Sequence, residues 1–181
     1  MSKIVKINTF FAWEQRELGE VFNYERPDEY IVKSDKYSDD YEIPVLTANK
    51  AFILGYTNEN RTYKNNCIIF DDFTLDNKFV DFEFMVKSSA IKILTAKNNN
   101  YLRFAYELLN ATKIEVLGHA RHYISIVQPT RTFLPNTTAE QEKIGTLFSN
   151  LDNLITLHQR EQKTPKKRLK TVIKRRILYE I

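Results

Sequence analysis

Two histidines three residues apart, His119 and His122 within Gly118-His119-Ala120-Arg121-His122-Tyr123, are the residues that most invite a metal ion. Zinc takes three or four such ligands, and no third stands near this pair. Asp71-Asp72, and Asp81 and Glu83 with Lys87, are of the types a metal-dependent nuclease uses. In a chain 28% charged such combinations arise by chance, and no acid-x-Lys strand pattern has a suitable spacing. The four glycines, Gly19, Gly55, Gly118 and Gly145, are too dispersed for a phosphate-cradling loop or a dinucleotide turn. A nucleophile elbow is also missing. The expectation is therefore no intrinsic catalysis, no cofactor and no metal. The lone cysteine, Cys67, precedes Ile68, Ile69 and Phe70 and reads as an inert core thiol in a reducing compartment.

Contact chemistry fits the loops better. Asn49-Lys50 and the stretch from Tyr56 to Asn66 (with Asn58, Asn60, Arg61, Tyr63 and Lys64) combine amides, cations and aromatics. His119, Arg121, His122 and Tyr123 form a second polar-aromatic cluster. Such groups suit base edges and phosphates: Asn pairs with adenine, Arg or Lys with guanine, and any donor with a backbone oxygen. The same composition also suits a solvated surface, and the residues alone leave both readings open.

The elements that must carry these groups are legible in outline. Residues 13–30 read as an opening segment with one helical turn. Short β-branched and aromatic runs follow at Ile43–Leu46, Ala51–Tyr56, Cys67–Phe70 and Phe82–Val86, the last leading toward Ile91–Leu94. Tyr101–Asn110 has the helical period, with Leu102, Ala105, Tyr106 and Leu109 on one face. Ile124–Val127 reads as a late strand, and Pro129 and Pro135 bracket a linker. The fold class expected is α+β: a domain over residues 1–137 with an irregular mixed sheet and long polar loops, then a helical spacer or dimerisation region over 138–181.

That last region is the most telling part of the chain. Thr137 or Thr138 supplies an N-cap, and Glu140–Glu142 place acids and an amide in the first turn, where the helix dipole favours them. Ile144, Leu147, Leu151 and Leu154 alternate three and four apart, the spacing of a coiled-coil seam, with Phe148 and Ile155 widening it. Pro165 ends or kinks the helix, and a second one would present Leu169, Val172, Ile173 and Ile177. Over 138–162 the length is about 35–40 Å at roughly 1.5 Å per residue. Either the stripe packs on the chain's own domain or it meets a partner.

Charge follows the same division. Residues 1–139 carry 17 Lys/Arg against 18 Asp/Glu, a net of −1, whereas residues 140–181 carry 10 against 5, a net of +5. A basic tail suits phosphates, and equally a solvated helix face. No apolar run approaches membrane-spanning length and the first residues lack a signal-peptide core, so the expected location is the cytoplasm, with no membrane partner.

Four pieces of this chain, in order, resemble the specificity subunit of type I restriction-modification systems. They are Trp13–Glu20; Ile43–Lys50 with Ile53–Tyr56; Ile68–Thr74; and His119–Ser125, followed by Glu140–Ile144 with Leu151-Asp152. The resemblance implies a non-catalytic protein that binds double-stranded DNA. Members hold two target recognition domains separated by two helices, each domain reading half of a split site, with DNA methyltransferase (modification) subunits and restriction subunits assembled around them. This chain corresponds to one recognition domain and one helix. Asn49, Lys50, Tyr56, Asn58, Asn60, Arg61, Tyr63, Lys64, Thr74, His119, Arg121, His122 and Tyr123 are then its candidate DNA contacts. Ile144, Leu147, Leu151, Leu154, Leu169, Val172, Ile173 and Ile177 are its candidate interface, through which two copies would pair as a homodimer on a palindromic site. Pro165 interrupts the helix where the family's would continue. A free-standing DNA-binding regulator, or a truncated subunit acting only through assembly, stay as alternatives.

Overall fold

The computed structural model describes residues 13–49, 51–115 and 120–163. In chain order the elements are β1 (Trp13–Glu17), α1 (Leu18–Val21), β2 (Phe22–Glu25), a 3-10 turn at Asp28–Tyr30, β3 (Ile43–Leu46), β4 (Ile53–Thr57), β5 (Cys67–Asp71) and β6 (Asn77–Val80). Then come β7 (Met85–Val86), β8 (Ile91–Ala96), α2 (Leu102–Ala111), a π turn at Tyr123–Val127, β9 (Arg131–Pro135) and α3 (Thr138–Lys163). Packing separates the residues up to Gly145 from those beginning at Thr146.

The first unit is built on a four-stranded sheet ordered β2-β8-β5-β6, all of whose pairings are antiparallel. The run Cys67-Ile68-Ile69-Phe70 is apolar at every position because β5 is covered on both faces. Ile68 and Phe70, with Leu94 of β8, pack against Phe104, Ala105, Leu108 and Leu109 of α2 and against Tyr123 and Val127. Cys67 and Ile69, with Ile91 and Ile93, pack the opposite way against Leu46, Tyr63, Phe84 and Val86. That second layer belongs to a three-stranded sheet, β4-β3-β7, in which β3 is antiparallel to β4 and parallel to β7. The α+β expectation holds.

Several elements differ from the sequence reading. The opening residues Trp13–Glu17 form a strand before the short helix, and it pairs antiparallel with Arg131–Pro135, the stretch read as a linker. β6 was not expected, and the Phe82–Val86 run contracts to the two residues of β7. Ile124–Val127, expected as a strand, coils into the π turn. Its buried residues are Tyr123 and Val127, four apart, while Ile124 is 61% exposed. A carboxylate from elsewhere in the chain receives the first amides of that turn, as described below, and this overrides the local β-branched preference.

The helix α3 begins at the expected threonine. Its first two turns belong to the domain: Gln141 is buried and Ile144 packs on the α2 side of the core. Ile144, expected in the interface, is half-buried there, so part of its surface is covered within the chain. Leu147, Leu151 and Leu154 are exposed, as are Phe148, Ile155 and Leu157. Leu169, Val172, Ile173 and Ile177, with Pro165, lie outside the described residues.

Candidate nucleic-acid interface

Strand directions divide the expected DNA contacts between two ends of the fold. β3 and β7 run the same way, so the loop after β3 (containing Asn49) and the Lys87–Ala90 connection share one end. Asp71 at the end of β5 pairs with Ile91 at the start of β8, which brings the turn of Asp72, Phe73 and Thr74 to that end too. The loop from Asn58 to Asn66 leaves β4 and enters β5 at the opposite end, where Tyr63 bridges Phe84.

At the first end a buried charge cluster forms. Asp72 and Lys92 are 3% and 2% exposed. The Oδ1 atom of Asp72 accepts the backbone N–H groups of His122 at 3.1 Å and Tyr123 at 2.8 Å, the amides that open the π turn. Its backbone carbonyl takes the His122 N–H as well, at 2.9 Å, and lies 3.1 Å from Nδ1 of the same residue. Oδ2 faces Lys92 Nζ and Arg121 Nη1, each at 3.6 Å. Lys92 donates to the Ser89 carbonyl, and Arg121 donates to the same oxygen at 3.4 Å. Burial pulls the Lys92 pKa down, against the upward pull of the Asp72 carboxylate. Two cations around one carboxylate leave the group with one formal positive charge, and only the Arg121 end of it reaches the surface, 54% exposed at the side chain. The Arg121 guanidinium lies 5.5 Å from the ring centroid of Phe73, itself on the surface.

The opposite end is acidic. Asp40, Glu42, Glu59 and Glu83 line one depression there with Lys64 as its cation. Lys64 is held 3.1 Å from Glu83, and hydrogen bonds from Thr62 and then Lys64 lower the Glu83 pKa. Glu59 accepts the backbone amides of Lys33 and Ser34. A phosphate backbone meets repulsion at such a surface.

The thirteen expected contacts thus separate. Asn49, Thr74 and Arg121 are exposed at the Asp72 end. Asn58, Asn60, Arg61 and Lys64 are exposed at the acidic end, and Tyr56 is half-buried within β4. Tyr63, His122 and Tyr123 are corrections: at 6%, 0% and 1% exposure they are core. Tyr63 packs on Tyr30 and Phe84, and Tyr123 stacks on Tyr24 at 4.9 Å. Burial drives both phenol pKa values upward. Lys50 and His119 lie outside the described residues. Residue types drew attention to Asp71-Asp72 as possible nuclease ligands, but Asp72 is engaged in the cluster and Asp71 holds the amides of Phe73 and Thr74. Among the described residues no three His, Cys, Asp or Glu side chains gather where a metal would sit. Ser89, Lys92 and Phe73 escaped the sequence reading, since nothing local marks a serine carbonyl or a strand lysine as part of a site.

The sequence matches the type I restriction modification DNA specificity domain over residues 12–165. It is 46% identical over 133 residues to the type I restriction enzyme EcoR124I/EcoR124II specificity subunit of Escherichia coli, covering 69% of this chain and 33% of that protein. The fold is similar to the type I restriction-modification S subunit from M. genitalium, with a TM-score of 0.64 and 17% identity over 90% of this chain and 46% of that one. It is also similar to the HsdS subunit from Thermoanaerobacter tengcongensis, with a TM-score of 0.53 and 14% identity, covering 88% and 42% of the two chains. The chain spans about a third of the E. coli relative and less than half of these solved structures. On the match across residues 12–165, the chain belongs to the type I restriction modification DNA specificity domain family.

Proposed function

We propose that this chain is the sequence-reading component of a type I restriction-modification system, with one recognition domain contacting one half of a bipartite double-stranded DNA site. It is a specificity protein and not a catalyst. The observation that carries the reading is the specificity-domain match over residues 12–165, supported by 46% identity to a specificity subunit. Among the described residues no helix is long and apolar enough to cross a membrane, in keeping with a cytoplasmic role on DNA.

In this reading the end of the domain carrying Asn49, Thr74 and Arg121 faces the duplex, because it presents a cation backed by a charge-balanced core while the far end presents carboxylates. The helix beyond Gly145 meets other subunits, and its exposed Leu147, Leu151 and Leu154 supply a self-complementary stripe for a homodimer. Modification and restriction subunits assemble on that frame and perform the chemistry.

Co-expression with the cognate modification subunit, followed by mapping of adenine methylation across a genome, tests the function. A bipartite palindromic motif is expected. Methylation unchanged by the chain would remove it from this role. A specific duplex bound without any modification subunit would instead mark a free-standing regulator.

A further inference from the structure

Arg121 is held unlike any other exposed cation described in the domain. Two separate segments, the turn after β5 and the β7–β8 connection, converge on its guanidinium. Asp72 from the turn after β5 faces Nη1 at 3.6 Å, the Ser89 carbonyl from the β7–β8 connection accepts from Nη1 at 3.4 Å, and the Phe73 ring lies against the group at 5.5 Å from its centroid. The carboxylate is itself fixed. Its Oδ1 is committed to the amides of His122 and Tyr123, and its Oδ2 also faces the buried Lys92 ammonium at 3.6 Å. The backbone that carries Arg121 and the carboxylate that orients its side chain are thus tied to one another.

These contacts fall on Nη1 and on the guanidinium face. Among the described residues, Nε and Nη2 have no protein partner. These two nitrogens form one edge of the guanidinium, with parallel N–H groups at the spacing that fits a pair of in-plane acceptors. In duplex DNA the base edge offering such a pair is guanine, through O6 and N7 in the major groove. A phosphate also offers oxygens to this fork, but it does so at every step of the backbone, and a loose lysine supplies the positive charge it needs. A device that fixes the plane and one edge of an arginine favours reading over mere attraction. It also lowers the rotamer entropy lost on contact.

We propose that Arg121 is a specificity-determining residue that reads one guanine of the DNA half-site through Nε and Nη2, and that Asp72 is the positioning residue that sets its edge. This rests on the DNA-recognition reading given above. Lys92 serves as the internal countercharge beside the Asp72 carboxylate, with burial lowering its own pKa against the upward pull of that carboxylate.

The test is selection of bound sequences from a randomised duplex library by the full chain, run in parallel with its variants. The wild-type chain should select a motif in which guanine dominates at one position. Arg121→Ala should lose roughly 5- to 150-fold of discrimination at that position alone, leaving the other letters in place. Arg121→Lys, which cannot engage both acceptors in one plane, should recover only part of it. Asp72→Asn should weaken the same letter. Because that change strands the Lys92 charge, the pair Asp72→Asn with Lys92→Met gives a second route, with thermal melting confirming a folded domain. The paired variant should show the same loss at the same letter. If Arg121→Ala weakened all sequences alike and lowered the salt dependence by about one phosphate contact, Arg121 would be a phosphate clamp and the proposal would fail. An unchanged motif at unchanged affinity would overturn it as well. A wild-type chain that selects no sequence at all would bring down the recognition reading itself, a different result from either.

Discussion

At the scale of single residues, the Asp72–Lys92 pair decides the local structure, and the two members are not equivalent. Asp72 receives two backbone amides and faces two cations, so Asp72→Ala leaves amides without an acceptor and a buried ammonium without a countercharge. Removing one partner of a buried pair costs about 3–5 kcal/mol. Lys92→Met leaves the carboxylate with its amides and with Arg121, and the new side chain has nearly the old shape, so its cost should be clearly smaller. Urea denaturation measures both, and equal losses would show that the amides and Arg121 contribute nothing to holding Asp72. Cys67 affords a second check. It is fully buried, and burial pushes its pKa up to about 12, so both access and thiolate content are low in the native state. A thiol reagent at pH 8 should leave it unlabelled in the folded chain and label it fully in urea. Rapid native labelling would mean that the β5 face opens readily.

At the scale of elements, α3 is fastened to the domain through its first two turns. Gln141 accepts the Tyr101 amide at 2.9 Å, at the N-cap of α2, while its Nε2 donates to Asn100 Oδ1 at 2.9 Å and to the Pro135 carbonyl at 3.1 Å. One turn later Gly145 lets the two helices approach: an added Cβ would lie 2.7 Å from Tyr101 Cε1 and 2.9 Å from the Phe104 backbone nitrogen. Gly→Ala inside a helix ordinarily gains about 0.5–1 kcal/mol. Overpacking against backbone costs about 1–3 kcal/mol, so Gly145→Ala should destabilise on balance, and a rise in melting temperature would contradict the tight approach. The sequence showed the capped start of α3 and the strands of the central sheet, whose residues are apolar at consecutive positions because both faces are covered. It did not show β1 or β9, since Trp13 pairs with Pro135 across more than a hundred residues and neither strand has an apolar run of its own. Ile124–Val127 misled for the same reason: its conformation depends on Asp72, fifty residues earlier. Arg121 was legible by type, whereas the groups that hold it become neighbours only through the β5–β8 register.

At the scale of the whole molecule, the exposed Leu147, Leu151 and Leu154 on α3 matter more than the number of cations in the tail. Three leucines at coiled-coil spacing, each more than two-fifths exposed, form a stripe that, in the proposed homodimer, a second copy would cover with the same residues related by a two-fold axis. Leu147 and Leu151 lie beyond the unit that ends at Gly145, so replacing both with glutamate should spare the recognition domain while setting four like charges against each other across the seam. Light scattering at micromolar concentration should then give a particle near the 21.4 kDa chain mass, where the unaltered chain is expected to give twice that value. Melting of the domain should be unchanged. The DNA consequence follows from symmetry: a closed pair selects a palindrome with a fixed gap, and the double variant should select a single half-site with the same letters and weaker binding. Loss of the letters along with the dimer would place recognition across the pair rather than in each domain. A monomeric unaltered chain, even with a palindromic duplex present, would assign the leucine stripe to a different subunit.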